Sequence, residues 1–252
     1  MQGKTALVTG AASGIGLAVA ERMAADGATV MIADLNAEAV KAKAEAHGFL
    51  YYAVDLSARE GCKLLVEAAE AKMGGVDILV NNAGFQHIDP IESFPEDTWD
   101  QLISVMLTAP FLLTRYCWPH MVKQGWGRVL NVSSVHGLVA SPFKAGYISA
   151  KHGIIGLTKT TALEGGPHGI TVNAICPGYV RTPLVEKQLE DQARTRGITV
   201  DEVVEKVMLE PAAVKRMVEP SEVAAMIAFL TGPDAGLCTG TNWVMDGGWT
   251  AR

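Results

Sequence analysis

Cysteine is sparse in this sequence, and its spacing fits neither a metal site nor a disulfide framework. Cys62, Cys117, Cys176 and Cys238 lie far apart, in apolar or helical surroundings. They show neither the paired spacing of a zinc site nor the cysteine density of a small secreted scaffold. We therefore expect reduced thiols of the core or surface and no metal centre.

Positive charge is also scarce. Charged residues make up 19% of the chain, the formal net charge is -6, and the pI is near 5.5. Lys and Arg form no cluster along the sequence. Nucleic acids and anionic membrane surfaces both favour a basic patch on their protein partner. The composition therefore argues against both kinds of partner.

Long apolar runs are missing as well. No run reaches the ~18 residues of a membrane span. A strand pattern begins within a few residues of Met1, which leaves no room for a signal peptide. We therefore expect a cytoplasmic protein without a membrane anchor. The apolar content of 49% indicates a substantial core rather than disorder.

What the chain does have is a regular alternation of strand-like and helix-like segments. Short apolar, β-branched runs, such as 5–9, 128–132 and 170–176, are separated by longer helical patterns. This alternation requires right-handed crossovers and a mostly parallel sheet with helices on both faces. Because no repeat or linker interrupts the pattern, residues 1–252 are predicted to form one doubly wound α/β domain.

Some expectations concern individual segments. Ser57 is placed to cap the third helix, and Pro110 should kink or break the long helical pattern that begins near Glu96. From about residue 183 to about residue 219 the pattern changes to a charged, helix-prone insertion. This insertion lies where a lid over a substrate could form.

A glycine-rich turn follows the first strand. The stretch TGAASGIG, residues 9–16, places glycines at positions 10, 14 and 16 just before a helix. Such glycines let the backbone approach a pyrophosphate at the helix N-terminus, whose partial positive charge favours an anion. The spacing differs from the fingerprint Gly-x-Gly-x-x-Gly, and glycines that serve only a tight turn are the alternative.

An acidic residue follows the second strand. Asp34 is placed to hydrogen bond the ribose hydroxyls of a dinucleotide. Its charge would repel a 2′-phosphate, and no Lys or Arg lies in the glycine turn or directly after Asp34 to offset it. NAD is therefore favoured over NADP. A helix cap is the alternative, although Asn36 fills that role better. Asp55, after the third strand, could meet the adenine.

Three side chains indicate redox chemistry. Ser134 follows a buried strand, so its hydroxyl should lie at a strand's carboxyl end, where open α/β sheets bind ligands. Tyr147 and Lys151 occupy positions i and i+4 and so share a helix face. A lysine ammonium near a phenol should favour the phenolate and lower a pKa that starts near about 10. The arrangement would make a base from a tyrosine.

The motifs TGAASGIG, NNAG, Ser134, YISAK and PGYVRT, present in this order, resemble the classical short-chain dehydrogenase/reductase family over the full chain. The resemblance implies a Rossmann-like domain, hydride transfer with a nicotinamide cofactor, and Ser134, Tyr147 and Lys151 as catalytic residues. Without it, residues 81–84 could equally be an ordinary Asn-Gly turn. The predicted cofactor contacts are Gly10, Ser13, Gly14, Ile15, Gly16, Asp34, Asp55, Leu56, Asn81, Ala83, Gly84, Tyr147, Lys151, Pro177, Gly178, Val180 and Thr182.

Longer matches, among them NNAGFQH, SVHGLVASPFKAGY and DGGWTAR, are similar to one branch of this family, bacterial dehydrogenases of short D-3-hydroxy acids. The similarity implies a homotetramer and a small hydroxy or oxo acid as substrate. By residue type alone, single Gln and Lys residues are usually solvated, and a C-terminal Trp could pack at a subunit contact. The similarity assigns the substrate carboxylate to Gln86, His136, Lys144 and Gln188, with Trp249 as a further contact.

Met106 departs from the family pattern. Many members have an asparagine at this position that helps to hold a water-mediated proton path, whereas a thioether accepts hydrogen bonds weakly. A dinucleotide-binding sensor without catalysis is therefore one alternative. The others are a 3-oxoacyl thioester reductase and a sugar or polyol dehydrogenase of the same family. Asp34 disfavours the first, which usually prefers NADPH, and the cationic and amide residues disfavour a neutral polyol.

Overall fold

Seven short apolar strands form one parallel sheet in the computed structural model, which describes residues 1–183, 185–186, 189, 193 and 197–251. Their order in the sheet is β3-β2-β1-β4-β5-β6-β7, and every neighbouring pair is parallel. The predicted doubly wound α/β fold is therefore confirmed. The strands are β1 (Thr5–Thr9), β2 (Thr29–Asp34), β3 (Leu50–Ala53), β4 (Ile78–Asn81), β5 (Gly127–Val132), β6 (Ile170–Pro177) and β7 (Asn242–Met245).

Helices cover both faces of the sheet. One buried apolar cluster joins the sheet to α1, α2 and α8, and a second joins it to α3 and α5 on the opposite face. The strands are apolar on both faces because each face is covered. The helices are α1 (Gly14–Ala25), α2 (Ala37–His47), α3 (Arg59–Met73), α4 (Glu96–Ile103), α5 (Ala109–Gln124), α6 (Ala145–Gly165), α7 (Val200–Val203) and α8 (Pro220–Thr231).

The strand order reverses between β1 and β4. From β1 the chain proceeds outward to β2 and β3, whereas from β4 it proceeds in the other direction to β5, β6 and β7. In open α/β sheets, a crevice for ligands forms outside the carboxyl ends of the strands at such a reversal. The glycine turn, residues 81–84 and Ser134 all follow strands at this edge.

A chain of buried side-chain hydrogen bonds joins the centre of the sheet to α6. Asn81 Nδ2 donates to Asn131 Oδ1 at 2.8 Å, and Asn131 Nδ2 donates to Thr158 Oγ1 at 2.9 Å. Thr158 Oγ1 donates in turn to the carbonyl of Ile154 at 2.8 Å. Because α6 also carries Tyr147, these bonds fix the helix of the site against β5.

The cap predicted at Ser57 is wrong. Helix α3 begins at Arg59, and the residue before it, Ala58, provides no side-chain cap. The Ser57 N–H donates instead to Asp55 Oδ1 at 2.8 Å. A carboxylate that accepts from the backbone two residues ahead forms a local turn, and this turn delays the start of the helix.

The irregularity predicted at Pro110 lies just before that residue. Helices α4 and α5 are joined by a π-helical turn over Ser104–Thr108, and Pro110 occupies the first turn of α5. Proline has no N–H to donate to the carbonyl four residues earlier, at Met106. The wider turn accommodates this missing hydrogen bond.

The predicted lid at residues 183–219 lies only partly within the described residues. There, Thr199 and Glu202 form a capping box at the start of α7, which continues into a π-helical turn over Val204–Met208. A small apolar cluster around Val203 and Met208 packs against Tyr179. That this segment acts as a lid stays a prediction.

The cysteines and the helices bear on two of the expectations from composition. The four cysteines are free thiols, three of them buried. Within the described ranges, no helix combines the length and the apolar character needed to cross a bilayer.

Replacing Asn131 with Ala should lower the free energy of unfolding by about 2–4 kcal/mol, because two buried polar partners would lose their hydrogen bonds. Urea unfolding followed by circular dichroism measures the change. Thr29→Ala, at an exposed position of β2, is the control and should change stability by less than about 0.5 kcal/mol. Equal stability of the two variants would contradict a stabilising role for the buried chain of hydrogen bonds.

Candidate active site

A cleft at the carboxyl ends of the central strands brings many of the predicted site residues together. It lies beside the N-terminus of α1 and along the first turns of α6. The predicted residues that line it are Ser13, Gly14, Ile15, Gly84, Gln86, Ser134, His136, Lys144, Tyr147, Lys151, Pro177, Gly178, Val180, Thr182 and Trp249.

Ser134, Tyr147 and Lys151 meet in this cleft. Ser134 follows β5, and the other two share one face of α6. Lys151 is buried, and its Nζ donates to the carbonyl of Val132, the last residue of β5, at 2.7 Å. The same Nζ lies 5.5 Å from the centre of the Tyr147 ring. The Ser134 hydroxyl hydrogen bonds with the Tyr147 phenol.

The predicted lowering of the Tyr147 pKa is not what the structure gives. Burial raises the pKa of the phenol above its ordinary value and outweighs the Ser134 hydrogen bond, which lowers it; nearby Tyr179 raises it further. Burial also lowers the pKa of Lys151 to about 8, while Cys176 acts weakly in the opposite direction. The expectation failed because it counted the attraction of the ammonium and omitted the desolvation of both groups.

His136 is a buried, neutral imidazole beside Tyr147. Its Nε2 lies 2.9 Å from Ser141 Oγ, and its ring meets those of Tyr147 and Trp249 edge-on. Burial lowers the pKa of His136 to about 4, with further lowering by Lys144 and His152. At neutral pH the ring therefore offers one N–H donor and no charge.

Lys144 supplies a cation to the same cleft. Its Nζ lies 5.9 Å from the centre of the Tyr179 ring, and Tyr179 stacks on Trp249 with ring centres 5.7 Å apart. Burial lowers the pKa of Lys144 below its ordinary value. A partly desolvated ammonium gains from an incoming carboxylate, because pairing replaces some of its lost hydration.

Sequence reasoning missed Tyr179. The residue forms part of the cleft wall, between Trp249 and the apolar cluster around Val203. The available signal was its position between Gly178 and Val180, both of which were predicted as site residues. Its aromatic side chain at a strand's carboxyl end could have marked it.

The three glycines of the glycine turn differ in their surroundings, since two are closely packed and one faces the cleft. A Cβ on Gly10 would lie 2.7 Å from Ala83 Cα, and one on Gly16 would lie 2.5 Å from the Gly10 carbonyl oxygen. These two glycines permit close packing beneath the cleft. Gly14, with φ of +56°, faces the cleft at the first residue of α1.

In the NNAG motif, the second asparagine reaches the cleft and the first does not. Asn81 is buried in the hydrogen-bond chain described above, whereas Asn82 lines the cleft. Asn82 Nδ2 donates to the carbonyls of Thr9 at 2.9 Å and Gly10 at 3.0 Å, which fixes the glycine turn. Ala83 packs against Gly10 rather than lining the cleft. Asn82 was absent from the predicted contacts.

Asp34 lies beside the glycine turn but outside the cleft lined by Tyr147. Its Oδ2 accepts from the Ala12 N–H at 3.0 Å, and its Oδ1 accepts from the Asn36 N–H at 3.1 Å. Asn36 is the residue whose side chain caps α2. The carboxylate thus sits between the glycine turn and the start of α2, while Asp55 and Leu56 lie one strand further out.

Met106 and Gln86 both line the cleft. Met106 is buried in the π-helical turn and lines the cleft, where a Cβ on Gly84 would lie 2.9 Å from its Sδ. Gln86 also lines the cleft, and its Oε1 is buried without a hydrogen-bond partner. The predicted contact Gln188 lies outside the described residues.

Comparisons with known proteins give consistent results. A family model described as short chain dehydrogenase matches residues 4–193. D-beta-hydroxybutyrate dehydrogenase of Rhizobium meliloti is 48% identical over 256 residues, covering 99% of each chain. The protein of that name from Cupriavidus necator is 45% identical over the whole of both chains. The crystal structure of levodione reductase superposes with a TM-score of 0.92 at 33% identity, over 100% of this chain and 99% of that one.

The buried neutral state of His136 should make the protein sensitive to acid. With a pKa of about 4 in the folded chain and roughly 6.5 when unfolded, it contributes stability that is present above pH ~6.5 and is lost as pH falls towards 4. Between pH 7.5 and 4.5 this loss should reach about 2–3 kcal/mol. Urea unfolding at both pH values gives the free energy of unfolding of the wild type and of His136→Gln. The difference between the two proteins should be smaller at pH 4.5 by that amount. A difference independent of pH would contradict a buried neutral imidazole.

Proposed function

The chain belongs to the short-chain dehydrogenase family, and on this basis we propose that it interconverts D-3-hydroxybutyrate and acetoacetate by hydride transfer with NAD. The proposal is carried by the convergence, in one cleft, of Ser134, Tyr147 and Lys151 with Lys144 and His136. The first three suit an alcohol and ketone pair, and the last two suit a carboxylate. The names of the two bacterial relatives support the same substrate.

The groups around the glycine turn fit a dinucleotide. Gly14 opens the N-terminus of α1 to the cleft, where backbone N–H groups suit a pyrophosphate. Asp34 presents a carboxylate beside the same turn, which suits ribose hydroxyls and opposes a 2′-phosphate. When bound, the nicotinamide accepts the hydride in oxidation and returns it in reduction.

Tyr147 would carry the proton. In oxidation its Oη removes the proton of the substrate hydroxyl, and in reduction it returns a proton to the carbonyl oxygen. Ser134 Oγ lies beside the phenol and would hydrogen bond the same substrate oxygen. Burial favours the neutral phenol. The phenolate would therefore need two positive charges nearby to stabilise it, the ammonium of Lys151 and the ring of an oxidised nicotinamide.

Lys144 and His136 would hold the carboxylate. A short hydroxy acid has little apolar surface, so most of its binding energy is electrostatic. The Lys144 ammonium supplies the charge and the neutral His136 ring supplies a donor, with the Gln86 amide in the same cleft. Gln188 and Trp249 complete the proposed set. The aromatic pair Tyr179 and Trp249 would exclude water from this end of the cleft.

We also propose that the protein is a cytoplasmic homotetramer. The proposal follows from the family resemblance and is supported by exposed apolar side chains. Phe111 and Leu163 project from α5 and α6, and Leu237 projects from the segment before β7. Contact between subunits would remove these apolar side chains from water, which is favourable.

The substrate proposal predicts that NAD reduction is fast with D-3-hydroxybutyrate and slow with the L enantiomer. Tyr147→Phe should lower kcat at least roughly 1000-fold because it removes the proton acceptor. Lys144→Ala should raise the KM for the acid roughly 10- to 100-fold by removing the charge partner. Steady-state kinetics measures all three effects.

Several outcomes would contradict this proposal. Equal rates with both enantiomers, or a fully active Tyr147→Phe, would exclude the mechanism. An unchanged KM in Lys144→Ala would remove that residue from carboxylate binding. A 3-oxoacyl thioester and a neutral polyol belong in the same substrate panel, and faster turnover of either would favour the corresponding family activity.

The cofactor proposal predicts a change of preference in Asp34→Ala. Removing the carboxylate should raise kcat/KM with NADP relative to NAD roughly 10-fold or more, because the repulsion of the 2′-phosphate is lost. Asp55→Ala makes the same chemical change one strand away and should alter the ratio less than about threefold. An unchanged ratio in Asp34→Ala would show that this carboxylate does not select the cofactor.

A further inference from the structure

The residue before Lys144 has an unusual backbone conformation. Phe143 has φ of 69°, and it is the sole non-glycine residue with positive φ in the part of the chain that the structure describes. In this left-handed region the Cβ of an L-residue crowds its own backbone, which is unfavourable for a bulky side chain. Non-glycine residues retained in such conformations cluster at ligand sites and are held by their surroundings.

The strained residue belongs to a tight turn. Pro142 and Phe143 are the central residues of a turn between Ser141 and Lys144. A type II turn favours Pro at its first central position and requires positive φ at the second, where Gly or Asn is usual. Pro142 and the φ of Phe143 match this pattern. Phenylalanine therefore occupies a position that its side chain does not favour.

Hydrogen bonds hold the turn on both sides. The Phe143 carbonyl accepts from the Asp89 N–H at 2.9 Å, and Asp89 Oδ1 accepts from Ser93 Oγ at 2.8 Å. At the start of the turn, Ser141 Oγ lies 2.9 Å from His136 Nε2. The turn is thus attached both to the segment after Gln86 and to the imidazole of the cleft.

The turn delivers Lys144 directly to the cleft. Lys144 is the residue before α6, and its carbonyl accepts from the Ile148 N–H at 2.9 Å in the first turn of that helix. Its backbone is therefore fixed by α6 on one side and by the turn on the other. The Phe143 ring, by contrast, is 55% exposed and does not line the cleft. The backbone conformation of Phe143, rather than its ring, is the feature that bears on the site.

We propose that Phe143 is a positioning residue whose left-handed conformation aims Lys144 into the cleft and so sets the affinity for the substrate carboxylate. This inference rests on the proposed function, in which Lys144 binds that carboxylate. Phe143 itself touches neither substrate nor reacting atoms.

A matched pair of variants tests the proposal. Phe143→Val and Phe143→Asn both remove the ring and are close in volume, but Asn tolerates the left-handed region whereas β-branched Val does not. Phe143→Val should raise the KM for D-3-hydroxybutyrate roughly 10-fold, with kcat and the KM for NAD changed less than about twofold. Phe143→Asn should keep all three values near those of the wild type. Equal KM values for the two variants would overturn the proposal.

Combining Phe143→Val with Lys144→Ala separates a positioning role from a general disturbance of the fold. In Lys144→Ala, the further change Phe143→Val should leave the KM for the acid unchanged, because the residue through which it acts is absent. Additive effects would overturn the proposal. Thermal unfolding followed by circular dichroism checks the fold of each variant. Phe143→Ala, which also disfavours positive φ, replaces Phe143→Val if that protein does not fold.

A measurement without substrate separates this inference from the proposed function. Competitive amine labelling of Lys144 over a series of pH values, read by mass spectrometry, reports the pKa of its amine. Burial lowers that pKa, so the labelling curve reports whether Lys144 is held in the cleft. Phe143→Val should shift the labelling curve towards that of an ordinary lysine, and Phe143→Asn should not. If this shift occurs while the wild type does not oxidise the acid, the proposed function fails and the positioning role stands. Identical curves for all three proteins would overturn the positioning role.

Discussion

The hydrogen bond from Lys151 Nζ to the carbonyl of Val132 is the contact on which the site depends. It joins the first half of α6 to the end of β5, so that Tyr147 on the helix faces Ser134 beyond the strand. A buried ammonium needs such an acceptor, because burial without a partner would be costly. The chain from Asn81 through Asn131 to Thr158 fixes the same helix further along its length. Two polar attachments therefore set the position of one helix.

Desolvation gives the cleft its electrostatic character. Burial favours the neutral forms of Tyr147, Lys151, Lys144 and His136, with the pKa of His136 reaching about 4. Such a cleft is costly to charge when it is empty. We expect it to be stabilised most when an anionic substrate and the positively charged ring of an oxidised nicotinamide are bound together. Binding of reactants and activation of the base are thus coupled through the same desolvation. This coupling gives a physical reason for placing the carboxylate partners next to the proton carrier.

The two halves of the cleft are built differently. The half that contains Ser134, Tyr147 and Lys151 is held by strand ends, by a long helix and by buried hydrogen bonds. The half that contains Lys144, Gln86 and Trp249 is held by turns, by stacked rings and by the strained Phe143. Rigid elements suit chemistry shared across a large family, whereas loops vary more readily and suit the selection of a substrate.

The sequence by itself determined the alternation of strands and helices, the glycine turn, and the i and i+4 relation of Tyr147 and Lys151. Each of these depends on local pattern, and their order along the chain was sufficient to predict the parallel sheet and the edge at which the site lies. Met106, the departure from the family pattern, forms part of the cleft wall.

Only the tertiary structure decided which asparagine of the NNAG motif faces the cleft, that Tyr179 stacks on Trp249, and that Phe143 is left-handed. It also reversed the direction expected for the Tyr147 pKa. These features arise from contacts between segments distant in sequence, and from the burial that such contacts produce. Local pattern specifies which groups are present and in what order, whereas desolvation and strain exist only once the chain has packed around them.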